Sequence, residues 1–122
     1  DEDYRAAQDA LARYRREGRA ELIRMTSILA AQDFPDNTLD FVYIDGDHRY
    51  LSVLTDIQTW YPLVKPGGIL AGHDSIVPKD TDGRWSPCIQ KALWTFFGSY
   101  NFPVYLLPES QGLPWSWYVE KP

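Results

Sequence analysis

The sequence predicts an α/β domain whose sheet is mostly parallel and whose far edge is antiparallel. Three observations lead there. Apolar strand-like runs alternate with stretches of helical periodicity along most of the 122 residues. Two of the runs stop abruptly at acids, in Asp45-Gly46-Asp47-His48 and in His73-Asp74. The last two runs are joined only by PESQGLP. A parallel crossover needs roughly a dozen residues or more, so that last pair must be antiparallel.

Taken in order, residues 1–3 are an acidic lead-in suited to the first turn of a helix. Tyr4, Ala7, Leu11 and Tyr14 recur at helical spacing, and Gly18 stops a helix of about three to four turns. Arg13, Arg15 and Arg16 read as a solvated face that complements the helix dipole. Residues 20–26 (AELIRMT) are a short strand candidate, and Ser27 can cap a brief helix over 28–32. Phe34-Pro35-Asp36-Asn37 is turn chemistry.

Residues 40–45 form the central strand. Phe41, Val42, Tyr43 and Ile44 are all apolar, which predicts burial on both faces. A helix over 48–60 follows, with Asp47 as its N-cap and Tyr50, Val53, Leu54, Ile57 and Tyr61 on one face. Pro62 and Pro66-Gly67-Gly68 end it, and residues 69–72 form a short buried strand that runs into His73-Asp74. Residues 75–85 are polar, carry Gly and Pro, and suit a lid beside the strand ends. Ser86-Pro87 opens a last helix with Ile89, Leu93, Phe96 and Phe97 along one side and Gly98 as its stop. Residues 103–107 and 115–119 are the closing strand pair.

Composition bounds the function. The length suits one domain with one core. A formal net charge of −5 argues against a nucleic-acid backbone as the main partner. No apolar run approaches the roughly 20 residues that span a bilayer. The single cysteine, Cys88, allows no intrachain disulfide and fits a reducing, cytoplasmic compartment.

Chemistry concentrates at the two acidic strand ends. In open parallel sheets, ligands bind outside the carboxyl ends of the strands. Asp45, Asp47, His48, His73 and Asp74 therefore face one cleft. Such an oxygen-rich cluster suits a hard cation such as magnesium. The cation could lower the pKa of a bound hydroxyl, and Asp47 or His73 could take its proton. Each residue also has a plainer role. Asp47 can be a helix cap, Asp74 an Asx-turn residue and His73 a hydrogen-bonded loop histidine. Asp45 is the hardest to explain this way, because a carboxylate ending a buried strand needs a partner.

The run FVYIDGDHRYLSVLTDIQTWYPLVKPGGILAGHDS resembles the middle of class I S-adenosylmethionine-dependent methyltransferases. Within them it is most similar to the O-methyltransferase branch related to macrocin O-methyltransferase and cephalosporin hydroxylase. The resemblance covers most of residues 20–119 and is strongest over 40–74. It implies a Rossmann-like fold: a mostly parallel sheet with helices on both faces and an antiparallel C-terminal hairpin. It also implies S-adenosylmethionine as cofactor and methyl transfer to a small molecule, on a hydroxyl oxygen before a nitrogen. At matching positions, Thr26 and Ser27 contact the adenine end of the cofactor. Asp45, Gly46 and His48 form the loop beside its methionine part. Asp45 and Asp74 match magnesium ligands, and Asp47 matches a proposed base. His73 stands where the metal-binding members carry an acid, a departure that bears on metal use.

The family's Gly-rich loop and its ribose-binding acid have no counterpart in these 122 residues. Gly67-Gly68 precedes a strand and opens no helix, so it is not that loop. In family order, two strands lie between the 20–26 strand and the 40–45 strand. The expectation is therefore a single, partial domain over 1–122, the C-terminal part of a longer methyltransferase, with an unpaired sheet edge. The rest would come from the same polypeptide, another chain or a homo-oligomer. Two rival readings are a non-catalytic remnant that assembles through exposed Trp115 and Trp117, and a phosphatase built on Asp45-Gly46-Asp47. The second suffers from Arg49-Tyr50, where that chemistry wants a small residue.

Overall fold

The computed structural model describes residues 2–75, 88–108 and 116–122. Helix α1 (Glu2–Arg16) has acids in its first turn and arginines in its last, matching its dipole. Gly18 adopts φ +68°. That lets the Arg19 N–H donate to the Tyr14 carbonyl at 2.8 Å and the Gly18 N–H to Arg15 at 3.1 Å, which closes the helix end. Arg13 and Arg19 pair with Glu17 in solvent. No α1 residue is buried.

Residues 20–26 do not form a strand. A strand needs a ladder partner, and none of the described strands pairs with this segment. Helix α2 (Ser27–Ala31) follows. Its N-cap is Thr26, one residue earlier than expected, whose hydroxyl accepts from the Leu29 N–H.

Strand β1 (Leu39–Ile44), helix α3 (Tyr50–Trp60) and strand β2 (Val64–Gly72) form the parallel unit, with Phe41 opposite Ile69 and Ile44 opposite Gly72. A one-turn 3-10 helix, Tyr61–Leu63, links α3 to β2, with Pro62 setting its turn. β2 is longer than its apolar run implied, because Pro66-Gly67-Gly68 lies inside it. Gly67 takes φ +80° there, and a Cβ on Gly68 would sit 2.9 Å from the Asp40 carbonyl oxygen. The PGG run is thus a kink in a strand and not a turn before one.

Helix α4 (Cys88–Phe97) and strands β3 (Tyr105–Leu107) and β4 (Ser116–Glu120) complete the chain. The expected helix start at Ser86-Pro87, Trp115 and all but Ser75 of the expected lid lie outside the described residues. The sheet order is β1-β2-β4-β3, and β4 is antiparallel to both neighbours. The reversed hairpin is as the short loop required.

Side chains alternate between the two faces of the sheet. Val42, Ile44, Leu70, Trp117 and Val119 share the core with Val53 and Ile57 of α3 and with Ile89, Leu93 and Phe97 of α4. Of the helices expected on both faces, α3 and α4 lie on this first face. On the other, Tyr43, Ala71, Tyr118 and Tyr105 stand in one row across all four strands. Phe41 and Tyr43 remain 56% and 47% exposed, so β1 is not buried on both faces. It ends the sheet, and nothing pairs with its outer edge among the described residues. Trp117, expected to be exposed, is only 1% exposed and sits in the core. This removes it from any assembly surface.

Candidate functional site

The two acidic strand ends meet as the parallel pairing demands. Asp45 follows Ile44, and His73 follows Gly72, its ladder partner. Gly72 is required there. A Cβ at that position would lie 2.6 Å from the Trp117 ring and 2.7 Å from the Ile44 carbonyl oxygen. Asp74 then turns the chain with φ +54°, a left-handed conformation that Asp tolerates better than most residues.

That turn sets Asp74 between two imidazoles. His48 Nε2 is 3.2 Å from one carboxylate oxygen, and His73 Nδ1 is 2.9 Å from the other. Asp45 Oδ1 lies 3.9 Å from the same His48 nitrogen. Asp45, His48 and Asp74 each offer a ligand atom, all within 4.8 Å of one another. Asp45 was expected to be a buried charge. Its side chain is 58% exposed, because among the described residues β1 has no outer neighbour to enclose it.

Asp47 is hydrogen-bonded on both carboxylate oxygens. Its carboxylate accepts from the Arg49 N–H at 3.0 Å, from Arg49 Nε at 2.7 Å and from the Ser52 hydroxyl at 3.0 Å. The Arg49 guanidinium first, and then the Arg49 N–H, hold its pKa well below the usual carboxylate range. A carboxylate so stabilised as the anion is a poor proton acceptor. It is not the N-cap of α3 either. That position is Arg49, and the helix begins at Tyr50, not His48. Asp47 instead ties the loop to the first turn of the helix.

Of the predicted cofactor residues, Thr26, Ser27 and Gly46 share one hollow, whereas Asp45 and His48 do not line it. A cleft of about 560 Å³ lies between α2 and the first turns of α3, lined by Thr26, Ser27, Gly46, Asp47, Ser52 and Asp56 among others. A second, of about 320 Å³, runs along the outer edge of β1 and also includes Ser27, Asp45, Gly46 and Asp56. Ser27 is held by the Trp60 indole, whose Nε1 donates to its hydroxyl oxygen at 2.7 Å. His48 and His73 line a separate small recess beside Trp117 and Ile89.

The sequence reading missed Asp56, Ser52 and Trp60. They stand at i, i+4 and i+8 on α3, and so form one ridge facing α2 and the cleft. The available signal was an acid placed four residues before a tryptophan, within a helix whose other face is apolar.

A strand–helix–strand unit with acids at its carboxyl ends, closed by a reversed hairpin, is the C-terminal layout of a class I S-adenosylmethionine-dependent methyltransferase. Comparison with known proteins agrees. A family model described as a methyltransferase domain matches residues 1–75, and the chain belongs to that family. The chain is 31% identical over 84 residues to an uncharacterized protein of Sinorhizobium fredii, covering 69% of this chain and 9% of that one. It is 34% identical over 67 residues to an uncharacterized protein of Acanthamoeba polyphaga mimivirus, covering 55% and 28%. Among solved structures, a Corynebacterium glutamicum protein superposes with a TM-score of 0.69 at 16% identity, over 99% of this chain and 57% of its own. A protein of Bordetella parapertussis, described as a possible exported protein, gives 0.62 at 15% identity, over 99% and 50%. The chain thus spans about half of each of these structures and under a third of either curated relative. No helix of the described residues is long and apolar enough to cross a membrane.

The residues present suit one end of the family's cofactor. The hydroxyl oxygens of Thr26 and Ser27 already accept from Leu29 N–H and Trp60 Nε1, so each keeps its own proton to donate. The hollow beside Gly46 thus offers two hydroxyl donors and the carboxylates of Asp47 and Asp56.

Proposed function

We propose that the protein carrying this chain transfers a methyl group from S-adenosylmethionine to a hydroxyl oxygen of a small molecule. The observation that carries this is the His48–Asp74–His73 cluster at the strand ends, beside a cleft walled by Thr26, Ser27 and Gly46. The cofactor, when bound, supplies an electrophilic methyl group. The chain's own residues then have two tasks, alignment and proton removal. His48 takes the proton from the acceptor hydroxyl as its oxygen becomes the nucleophile. Asp74 holds the imidazole and offsets the positive charge it gains, as a carboxylate does for a catalytic histidine. His73 holds the other oxygen of Asp74, which fixes the carboxylate and makes His73 a positioning residue. The base is placed at His48 and not at Asp47, because Arg49 and Ser52 occupy the Asp47 carboxylate.

A second reading rests on the 4.8 Å cluster of Asp45, His48 and Asp74. These are the residues that would hold a divalent cation, which would lower the pKa of the acceptor hydroxyl. Two carboxylates and an imidazole suit manganese or iron at least as well as magnesium, which favours oxygen ligands throughout. A metal-bound His48 cannot also be the base, so the two readings separate on chelation. In this reading the acceptor is a small molecule, and one cysteine in 122 residues fits a reducing compartment such as the cytoplasm.

The test is methyl transfer by the intact protein from labelled S-adenosylmethionine to a panel of hydroxylated small molecules. Under the first reading His48→Gln lowers turnover by about 10²- to 10⁴-fold and chelators leave the parent's turnover unchanged. Loss of turnover to chelators, restored by manganese, would favour the second. Transfer to none of the panel, with no affinity for S-adenosylhomocysteine, would sink both.

A further inference from the structure

The end of the sheet opposite β1 carries an apolar patch that holds both a knob and a hollow. Residues 92–108 contain no Asp, Glu, Lys or Arg, in a chain where these make up 24%. Trp94 stands on the outer side of α4 and is 78% exposed. Its indole lies against Gly98, where a Cβ would sit 3.5 Å from the ring and 2.4 Å from the Trp94 carbonyl oxygen. Beside it a groove of about 440 Å³ runs between α4 and β3, lined by Leu93, Phe97, Tyr100, Phe102 and Leu106, with no charged side chain among the described residues. Trp94 forms one of its walls. Another wall is firm. Phe97, Tyr100 and Phe102 pack ring on ring with one another and with Tyr61, at centroid separations of 5.1 to 6.4 Å.

The surroundings restrict what covers this patch. An acidic or basic partner finds no counter-charge on it. Interfaces between identical chains are the class whose centre is depleted in charge and enriched in aromatic residues. The patch also supplies both halves of a contact, a protruding ring and a hollow of ligand-pocket size. In a two-fold arrangement the same surface meets itself, so each copy's Trp94 enters the other copy's groove. Trp94, Tyr100 and Leu106 are 78%, 44% and 40% exposed. At roughly 150–250 Å² per aromatic side chain, they leave roughly 350 Å² of apolar surface per copy. The groove walls and the outer edge of β3 bring a two-copy contact to roughly 1,000 Å², the size at which a specific interface begins. A strand that completed the sheet beyond β1 would lie at the opposite end and leave this patch bare.

We propose that this face is a homodimer interface in which Trp94 of one copy seats in the groove between α4 and β3 of a second, across a two-fold axis. Assembly through it is independent of the chemistry at the strand ends. It uses an exposed tryptophan, where Trp117 is held in the core.

The experiment is sedimentation velocity of the intact protein over a dilution series through the micromolar range, with Trp94→Glu and Leu106→Lys alongside and a melting curve of each. The wild type should sediment as a dimer that dissociates on dilution. Trp94→Glu should raise the dissociation constant by about 10³-fold, because a two-fold contact loses its anchor twice and each loss is worth about 30-fold. It should still melt cooperatively, as a monomer. Leu106→Lys alters the β3 side of the groove and should weaken the dimer in the same direction, so it carries the test alone if Trp94→Glu does not fold. A wild type that is monomeric throughout the series overturns the proposal, and that result needs no variant. So does a dimer that both variants leave intact, which places the contact elsewhere. A monomer whose groove takes up an anilinonaphthalene sulfonate dye, with uptake lost in Trp94→Glu, overturns it in favour of a small-molecule pocket.

Discussion

Gly72→Ala is the substitution that most sharply tests how the site is built. The added methyl would lie 2.6 Å from Cε2 and Cζ2 of Trp117 and 2.7 Å from the Ile44 carbonyl oxygen. Ordinary carbon contacts lie near 3.5–4.0 Å, so about 1 Å of separation must be found. Trp117 cannot yield it easily, being 1% exposed and packed with α3 and α4 in the core. Ile44 cannot either, since it is backbone in the adjoining parallel strand. An extra methyl in a tightly packed core costs about 1–3 kcal/mol. The usual gain of about 0.5–1 kcal/mol from replacing a strand glycine offsets part of this. With backbone as well as a ring in the way, a net loss of about 2 kcal/mol is expected. Urea unfolding should show a lower midpoint at unchanged slope. Gly46→Ala is the control, because its Cβ meets nothing nearer than Asp56 Oδ2 at 3.6 Å, and it should leave the midpoint in place. If Gly72→Ala is as stable as the parent, the close packing of β2 on Trp117 is wrong, and so is the placement of His73 and Asp74.

Other outcomes follow from the same geometry. Lys121 reaches Asn37 Oδ1 at 2.9 Å and the carbonyls of Tyr61, Pro62 and Val64 at 3.3, 3.2 and 2.7 Å, so Lys121→Met should cost about 2–3 kcal/mol by chemical denaturation. Asp47 should titrate below every ordinary carboxylate in a carbon-13 NMR series. Its folded pKa is depressed, so its contribution to stability is present above the ordinary carboxylate value and fades as pH falls towards the folded one. Asp47→Asn should remove that acid-sensitive part and leave methyl transfer measurable. His48→Gln, in contrast, should lower kcat by about 10²- to 10⁴-fold while S-adenosylhomocysteine still binds. Similar kcat losses in the two variants would return Asp47 to the role of base.

Much of the fold was legible because local signals agreed with the tertiary outcome. The FVYI run, the helix after His48 and the short PESQGLP loop each had one workable structure, and together they fixed a parallel pair with a reversed edge. Where reading failed, the cause lay in what a strand borders. Residues 20–26 have strand-like composition but no ladder partner, so their backbone is not in the sheet. Asp45 and Tyr43 look buried in sequence, yet stand at the end of the sheet. Trp117 looked like a surface aromatic because nothing in the sequence says which face of a strand meets the helices. At the site, the acids were legible as types at strand ends. Their division of labour was not. Arg49 claiming Asp47, and Asp74 reaching both histidines, depend on the left-handed turn at Asp74 and on loop geometry no spacing rule encodes. Asp56 was passed over because one acid on an amphipathic helix reads as solvated surface until a neighbouring helix folds across it.

The most direct test of the central claim is calorimetric titration of the intact protein with S-adenosylhomocysteine. The account predicts saturable one-to-one binding that is weakened by Thr26→Ala and left in place by His48→Gln. No binding at millimolar ligand, by a protein whose unfolding is cooperative, would contradict it.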